Sequence, residues 1–222
     1  MITASTYYKG EIYIPQAKPS ISDDAVGSKN DFSFIVDKYE EDCLIKCLGI
    51  SLYREFLTNI DTTVTATFIK ANSDAKWNEL MNGVEYVKDG KTLYWRGIRF
   101  KTPLNATEFN RSFLANYVYW HYMSSQYTST TTTGEKENKS ANADNVSPGT
   151  KVIKAWNEFV EMVQGVDTHP IVYNYSGFIG VDYYRGNNHV SLYQFINDKN
   201  TDAVVYDNFK PINWQAVTQF NL

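Results

Sequence analysis

The side chains of this chain that could do chemistry are scattered rather than convergent. His121, His169 and His189 are its three histidines, and each falls in a different predicted element, whereas a metal site needs several His, Cys or carboxylate ligands at short spacings. Glu40, Glu41 and Asp42 are adjacent carboxylates. Neighbours on a helix point apart, so a solvated face is expected there rather than paired acid–base work. Cys43 and Cys47 are the only two cysteines; four apart on a helix they share a face, where packing as small apolar residues is expected. No Gly-x-Ser-x-Gly elbow and no cysteine with a recruitable histidine stands out, and Tyr175-Ser176-Gly177 and the Gly177 to Gly180 stretch read as turns because no helix follows them. The sequence therefore predicts no catalytic residues, no cofactor and no metal; carboxylate chemistry without a spacing signature is the one enzymatic route it leaves open.

The 222 residues suit one domain with appended arms, and a formal charge of −4 argues against a surface that grips phosphate backbones. Nothing approaches the length of a membrane span, and MITASTYYKGEIYIP lacks the basic and apolar regions of a secretory leader, so cytoplasmic synthesis is expected. The unusual feature is 17 Tyr beside 12 Phe and 5 Trp, residues that favour either a tyrosine-rich core or surfaces that meet other surfaces.

The elements that must position these groups follow from periodicity and breakers. Residues 1–30 read as an extended arm in which EIYIP alternates like an edge strand up to Pro15. Asn30 or Asp31 then caps a helix with a stripe of Ile35, Tyr39, Cys43, Leu44, Cys47 and Leu48, stopped by Gly49. A short helix over 51–57 follows, and Asp74 caps another with Trp77, Leu80 and Met81 inward and Gly83 at its end. Asp89-Gly90 between EYVK and TLYW sets a hairpin over 84–95. Pro103 is expected to open a long helix over 104–127, whose FLANYVYWHYM is apolar almost all round and must be buried on more than one side, by its own chain or by a second subunit. Residues 129–145, without large apolar side chains, read as a mobile surface loop. Ser147-Pro148 opens a helix with Val152, Trp156, Phe159, Val160 and Val163 inward up to Gly165. Beyond it, 166–222 reads as a β-rich C-terminal extension with one helical turn near 191–197. The expected fold is mainly α: a small helical bundle over 31–165 with a β-hairpin, an extended N-terminal arm and that β-rich tail.

This order of elements resembles the head–tail connector, or adaptor, proteins of tailed phages, especially those of Bacteroidetes phages and prophages, including the crAss-like group. The likeness covers about residues 34–163. It rests on Leu48, Gly49, Leu52 and Tyr53 at the end of the first helix; Trp77, Leu80 and Gly83; the Trp95 and Gly97 step; the aromatic helix; and Ser147, Pro148, Ala155, Trp156 and Asn157. The resemblance implies a virion protein made in the host cytoplasm. It would form a ring of about twelve copies below the portal protein. That ring would bridge to other neck or tail proteins and frame a channel that DNA crosses without sequence-specific binding. The extension after Gly165 exceeds the compact adaptors of this pattern. Contacts are expected at Tyr7, Tyr8, Ile12 and Tyr13 of the arm, at Tyr117, Trp120, His121, Tyr122 and Tyr127 of the aromatic helix, and at Tyr183 and Tyr184 of the tail. The alternative is a carbohydrate- or ligand-binding module whose tyrosines stack on sugar rings.

Overall fold

A computed structural model describes residues 2–3, 5–14, 32–61, 69–101, 110–126, 128–131, 134–137, 149–165 and 189–216. Among them are six α-helices: α1 Phe32–Leu48, α2 Ile50–Asn59, α3 Ala75–Asn82, α4 Phe113–Gln126, α5 Gly149–Gln164 and α6 Leu192–Asp202. Three antiparallel pairs join β1 Val84–Lys88 to β2 Lys91–Trp95, β3 Phe100–Lys101 to β4 Asn110–Arg111, and β5 Thr128–Thr131 to β6 Gly134–Glu137. The mainly helical fold with a hairpin is as the sequence predicts.

In α1 the predicted stripe is buried at Cys43, Leu44, Cys47 and Leu48 but only partly at Ile35 and Tyr39; toward the start of the helix Val36 and Glu40 are the buried positions instead. α4 lies between α1 and α5. Every residue from Phe113 to Tyr119 is buried, so the apolar circumference of this helix is covered by its own chain. Over these two turns a single chain suffices for what the sequence leaves open to a second subunit, while Trp120, His121, Tyr122 and Met123 stay half-buried. The helix also starts later than expected, because Asn110 and Arg111 pair with β3 and Ser112 makes the cap. Ser112 Oγ accepts from the Leu114 N–H at 3.2 Å and donates to the Ile98 carbonyl at 2.7 Å, tying the helix start to the strand connection. Residues 102–109, where the earlier start was expected, lie outside the described residues, as do Asn30 and Asp31.

The hairpin forms at the predicted residues, with Lys88 opposite Lys91 across the turn. Asp89 and Gly90 both have positive φ, at 50° and 72°, the geometry that matches a tight turn to strand twist. Its base is locked to α3. A Cβ on Gly83 would sit 2.6 Å from the Trp95 carbonyl oxygen, and one on Gly97 would sit 2.5 Å from the backbone of Asn82 and Gly83. That closeness lets Ile98 N–H and the Trp95 indole reach the Leu80 carbonyl at 3.0 and 3.1 Å, and Arg99 N–H the Met81 carbonyl at 2.9 Å. The last carbonyls of α3, which have no partner inside the helix, are thus satisfied from outside.

Two expectations are corrected. The described part of the tail is not β-rich: Ser191 caps α6, and residues 203–216 form an irregular strap. Leu192, Phe195 and Ile196 recur at helical spacing and are fully buried, and the packing of that face overrides the β-type composition around it. The strap follows the α1–α2 junction, with Lys210 N–H on the Leu48 carbonyl at 3.2 Å and Ile212 N–H on the Lys46 carbonyl at 3.0 Å. Val190, Phe195, Ile196, Tyr206 and Trp214 belong to the same core as Leu48, Phe56, Trp77, Trp95 and Phe159. Residues 189–216 therefore pack into the core rather than forming an appendage; residues 166–188 and 217–222 lie outside the described residues. Second, the arm is not an edge strand. Ser5–Tyr7 and Gly10–Ile12 are 3₁₀ turns, and Ile12 and Ile14 point inward around an outward Tyr13, so the alternation exists but faces helices. Within the expected loop at 129–145, Thr128–Thr131 and Gly134–Glu137 pair as strands.

A candidate interface at the arm and the end of α4

Two groups of side chains meet along α1 and α4. The first is an anchored arm. Tyr7, Tyr8, Ile12 and Ile14 pack on Val36, Ala115, Val118, Tyr119 and Ala155, a cluster distinct from the main core, with Phe32, Ile35, Tyr122 and Met123 at its margin. Tyr8 meets the Phe32 ring edge-on at 4.9 Å. Beneath the chain start lies Glu40, whose carboxylate accepts the Ile2 and Thr3 N–H groups, each at 2.6 Å, and the Thr3 hydroxyl. Burial pushes this carboxyl above its ordinary range, against the pull of those three donors. At the rim Lys154 of α5 pairs with Glu11 at 2.6 Å, both exposed.

The second group is aromatic. His121 stacks on Tyr39, with centroids 4.1 Å apart and planes 7° from parallel, and meets Tyr117 and Trp120 edge-on. Burial holds its pKa down, at about 4, so the imidazole is neutral at pH 7; its Nε2 is enclosed and has no hydrogen-bond partner among the described residues. Tyr117 donates to Asp42 at 2.5 Å while Lys46 donates to both, at 2.6 Å to the carboxylate and 3.1 Å to the phenol. Burial raises the Asp42 pKa, but the Lys46 and Tyr117 bonds outweigh it and keep the group below its usual range. Trp120 packs on Trp156 at 4.6 Å, and Trp156 in turn on Trp214 at 5.6 Å.

The structure brings together Tyr7, Tyr8 and Ile12 with Tyr122 in one cluster, and Tyr117 with Trp120 and His121 in the other. Tyr7, Tyr8, Ile12 and Tyr117 are buried within the chain itself, so in this fold they are not surface contacts. Tyr13 is 58% exposed, and Trp120, His121 and Tyr122 are half-buried. Tyr127, Tyr183 and Tyr184 lie outside the described residues. Glu40 is the residue that sequence reasoning missed. Grouped with its neighbours it looks like a solvated carboxylate, yet it stands four residues after Val36 and three and four before Cys43 and Leu44, on the buried stripe. Of its neighbours, Glu41 alone is exposed, Asp42 being drawn into the Lys46–Tyr117 network.

Cys43 and Cys47 are free, buried and 3.9 Å apart at sulfur, and burial drives the Cys43 thiol well above its usual range, so both act as packing groups. Among the described residues no group of three or more His, Cys, Asp or Glu is placed to hold a metal ion, and no helix is long and apolar enough to cross a membrane. Comparison of the chain with protein-family models, with curated proteins and with solved structures finds no match.

Proposed function

We propose that this chain is a structural subunit of a repeating assembly, of the head–tail connector type: a ring component between a portal and the neck or tail of a phage virion. The observation that carries the reading is where the residues behind the resemblance sit. Gly49 touches the strap at Lys210, Gly83 and Gly97 press backbone to backbone, Trp77 and Trp95 fill the core between α3, the hairpin and α6, and Trp156 bridges α4 to the strap. These residues hold joints between elements, so their order along the chain is the order of a tertiary fold rather than of unrelated caps. An arm docked as a separate cluster and outward apolar side chains at Tyr13, Phe34, Val87 and Tyr94 supply further surface for neighbours.

Negative-stain imaging of the purified chain, alone and mixed with a portal from the same genome, tests the proposal. Rings of about twelve subunits on the portal are expected. A chain that stays monomeric in every mixture sinks it. For the sugar-stacking alternative, Tyr7, Tyr8, Tyr53, Tyr117, Tyr119, Tyr193 and Tyr206 are buried in the chain itself, and the tyrosines of residues 166–188 lie outside the described residues.

A further inference from the structure

We propose that the outer edge of β1 takes β5 of a second copy of this chain as an added strand, so that each subunit joins the next head to tail. The proposal deepens the assembly reading and rests on it only in requiring a second copy.

Both hairpins leave an edge unfinished. In a ladder joined by a two-residue turn, the pair beside the turn exchanges backbone hydrogen bonds, and so does every second pair after it. Lys88 with Lys91, Tyr86 with Leu93 and Val84 with Trp95 therefore bond across the ribbon, and the N–H and C=O groups of Glu85 and Val87 point away from it. The opposite strand obeys the same parity, because the outward carbonyl of Tyr94 accepts the Val190 N–H at 3.1 Å. Among the described residues nothing takes the outward groups of β1, where Glu85 is exposed and Val87 is 69% exposed. In the second hairpin Thr131 pairs with Gly134 beside the turn, so Thr128 and Thr130 are the outward residues of β5.

The fit between these two edges decides the occupant. A two-stranded ribbon is marginal in water without an apolar face or a further strand. The segments TSTT and GEKE contain no large apolar residue, and their ladder is a separate sheet within the chain. β5 lacks support where β1 lacks a strand, and one antiparallel register answers both. It sets Val87 opposite Thr128 and Glu85 opposite Thr130, so the outward backbone groups at all four positions are bonded and no like charges are opposed. Pairing with β6 in the equivalent register would set Glu85 opposite Glu137, and pairing with β1 of another copy would set Val87 opposite the carboxylate of Glu85. Two different edges that fit each other form a head-to-tail contact, the kind that closes a ring.

Single-cysteine variants of the full chain test the register. Val87→Cys and Thr128→Cys chains are mixed at high concentration, alone and with a portal from the same genome, and treated with a short bifunctional thiol reagent; the native Cys43 and Cys47 are fully buried. Opposite positions in a strand pair lie about 5 Å apart at Cβ, so a link between positions 87 and 128 should form about tenfold more in the mixture than in either variant alone. A link in a mixture of Val87→Cys with Glu85→Cys, and none between 87 and 128, overturns β5 as the occupant. Oligomers or rings without the 87–128 link overturn strand addition and leave the assembly reading intact. Chain that never associates overturns both. Val87→Pro removes an outward N–H and no bond of the β1–β2 ladder, so it should weaken association about tenfold while hydrogen exchange of α3 and α6 stays at the wild-type level; unchanged association would overturn the edge as the contact.

Discussion

The side of the molecule built from α3, the hairpin, α6 and the strap differs from the arm side in how its chain is held. On the first side backbone meets backbone: Gly83 against Gly97, Leu80 and Met81 carbonyls against Ile98 and Arg99 amides, Leu48 against Lys210. The segments that meet are threaded together and cannot part without opening the main core. On the arm side a segment lies on a helical surface, held by side-chain burial, by the buried Glu40 carboxylate and by the exposed Glu11–Lys154 pair. Close backbone approach commits a fold, because no rotamer change relieves it. A side-chain dock is held by packing that rotamer changes can undo, so it constrains the fold less.

The sharpest way to break this contrast is at the backbone contact. Gly97→Ala places a methyl 2.5 Å from the Asn82 backbone at a φ of 86°, and should cost about 3–5 kcal/mol in denaturant unfolding, in the range of the severest single substitutions. A loss below about 1 kcal/mol would mean that the joint relaxes freely. Trp77→Ala, emptying a fully buried site between Phe56 and Tyr206, should cost a similar or slightly smaller amount, about 3–4 kcal/mol, again as global unfolding.

Glu40→Ala should cost less, about 2–3 kcal/mol, since two backbone donors lose their acceptor. The loss should be local. Hydrogen exchange at residues 2–14 should rise while α3, the hairpin and α6 stay protected; equal deprotection of both sides would erase the distinction between them.

The smallest effect is pH dependence at the aromatic end of α4. His121 has a folded pKa near 4 against an ordinary 6.5, so its neutral form contributes stability that is present above 6.5 and lost as pH falls through about 4. Glu161, on α5, runs the other way. Burial, with Glu158 beside it, raises its pKa to about 7, so stability is full below the ordinary 4.5 and declines as pH rises through about 7. His121→Phe should flatten the acid limb of a stability–pH curve and Glu161→Gln the neutral limb. If both curves keep the wild-type shape, neither group is buried in the charge-sensitive way described.

Local order was readable where one short stretch holds all the information. Asp89-Gly90 sets its turn by tolerating positive φ, and spacing alone names the buried residues of α3 and most of those of α1 and α5, missing Val36, Glu40, Ala155 and Met162 and placing the partly buried Ile35, Tyr39 and Trp156 inward. Ser191 with Leu192, Phe195 and Ile196 carried a helical signal that was read as one turn near 191–197, and the β-branched and aromatic residues around it hid that the helix runs on to Asp202. The candidate site was less legible. Trp120 and His121 are visible as aromatic surface, but Tyr7 and Tyr8 look the same in sequence and are buried.

What this sequence determined by itself is a helix-rich chain with a hairpin over 84–95 and a central helix that must be covered on every side, because periodicity, capping and turn chemistry act between residues close in the chain. Only the tertiary structure decided what does the covering, that Glu40 is an anchor rather than a solvated acid, and that residues 189–216 complete the core. Those outcomes depend on pairs such as Thr3 with Glu40, Lys46 with Tyr117 and Trp156 with Trp214, 37 to 71 residues apart in the first two cases, and burial across such separations leaves no local spacing to read.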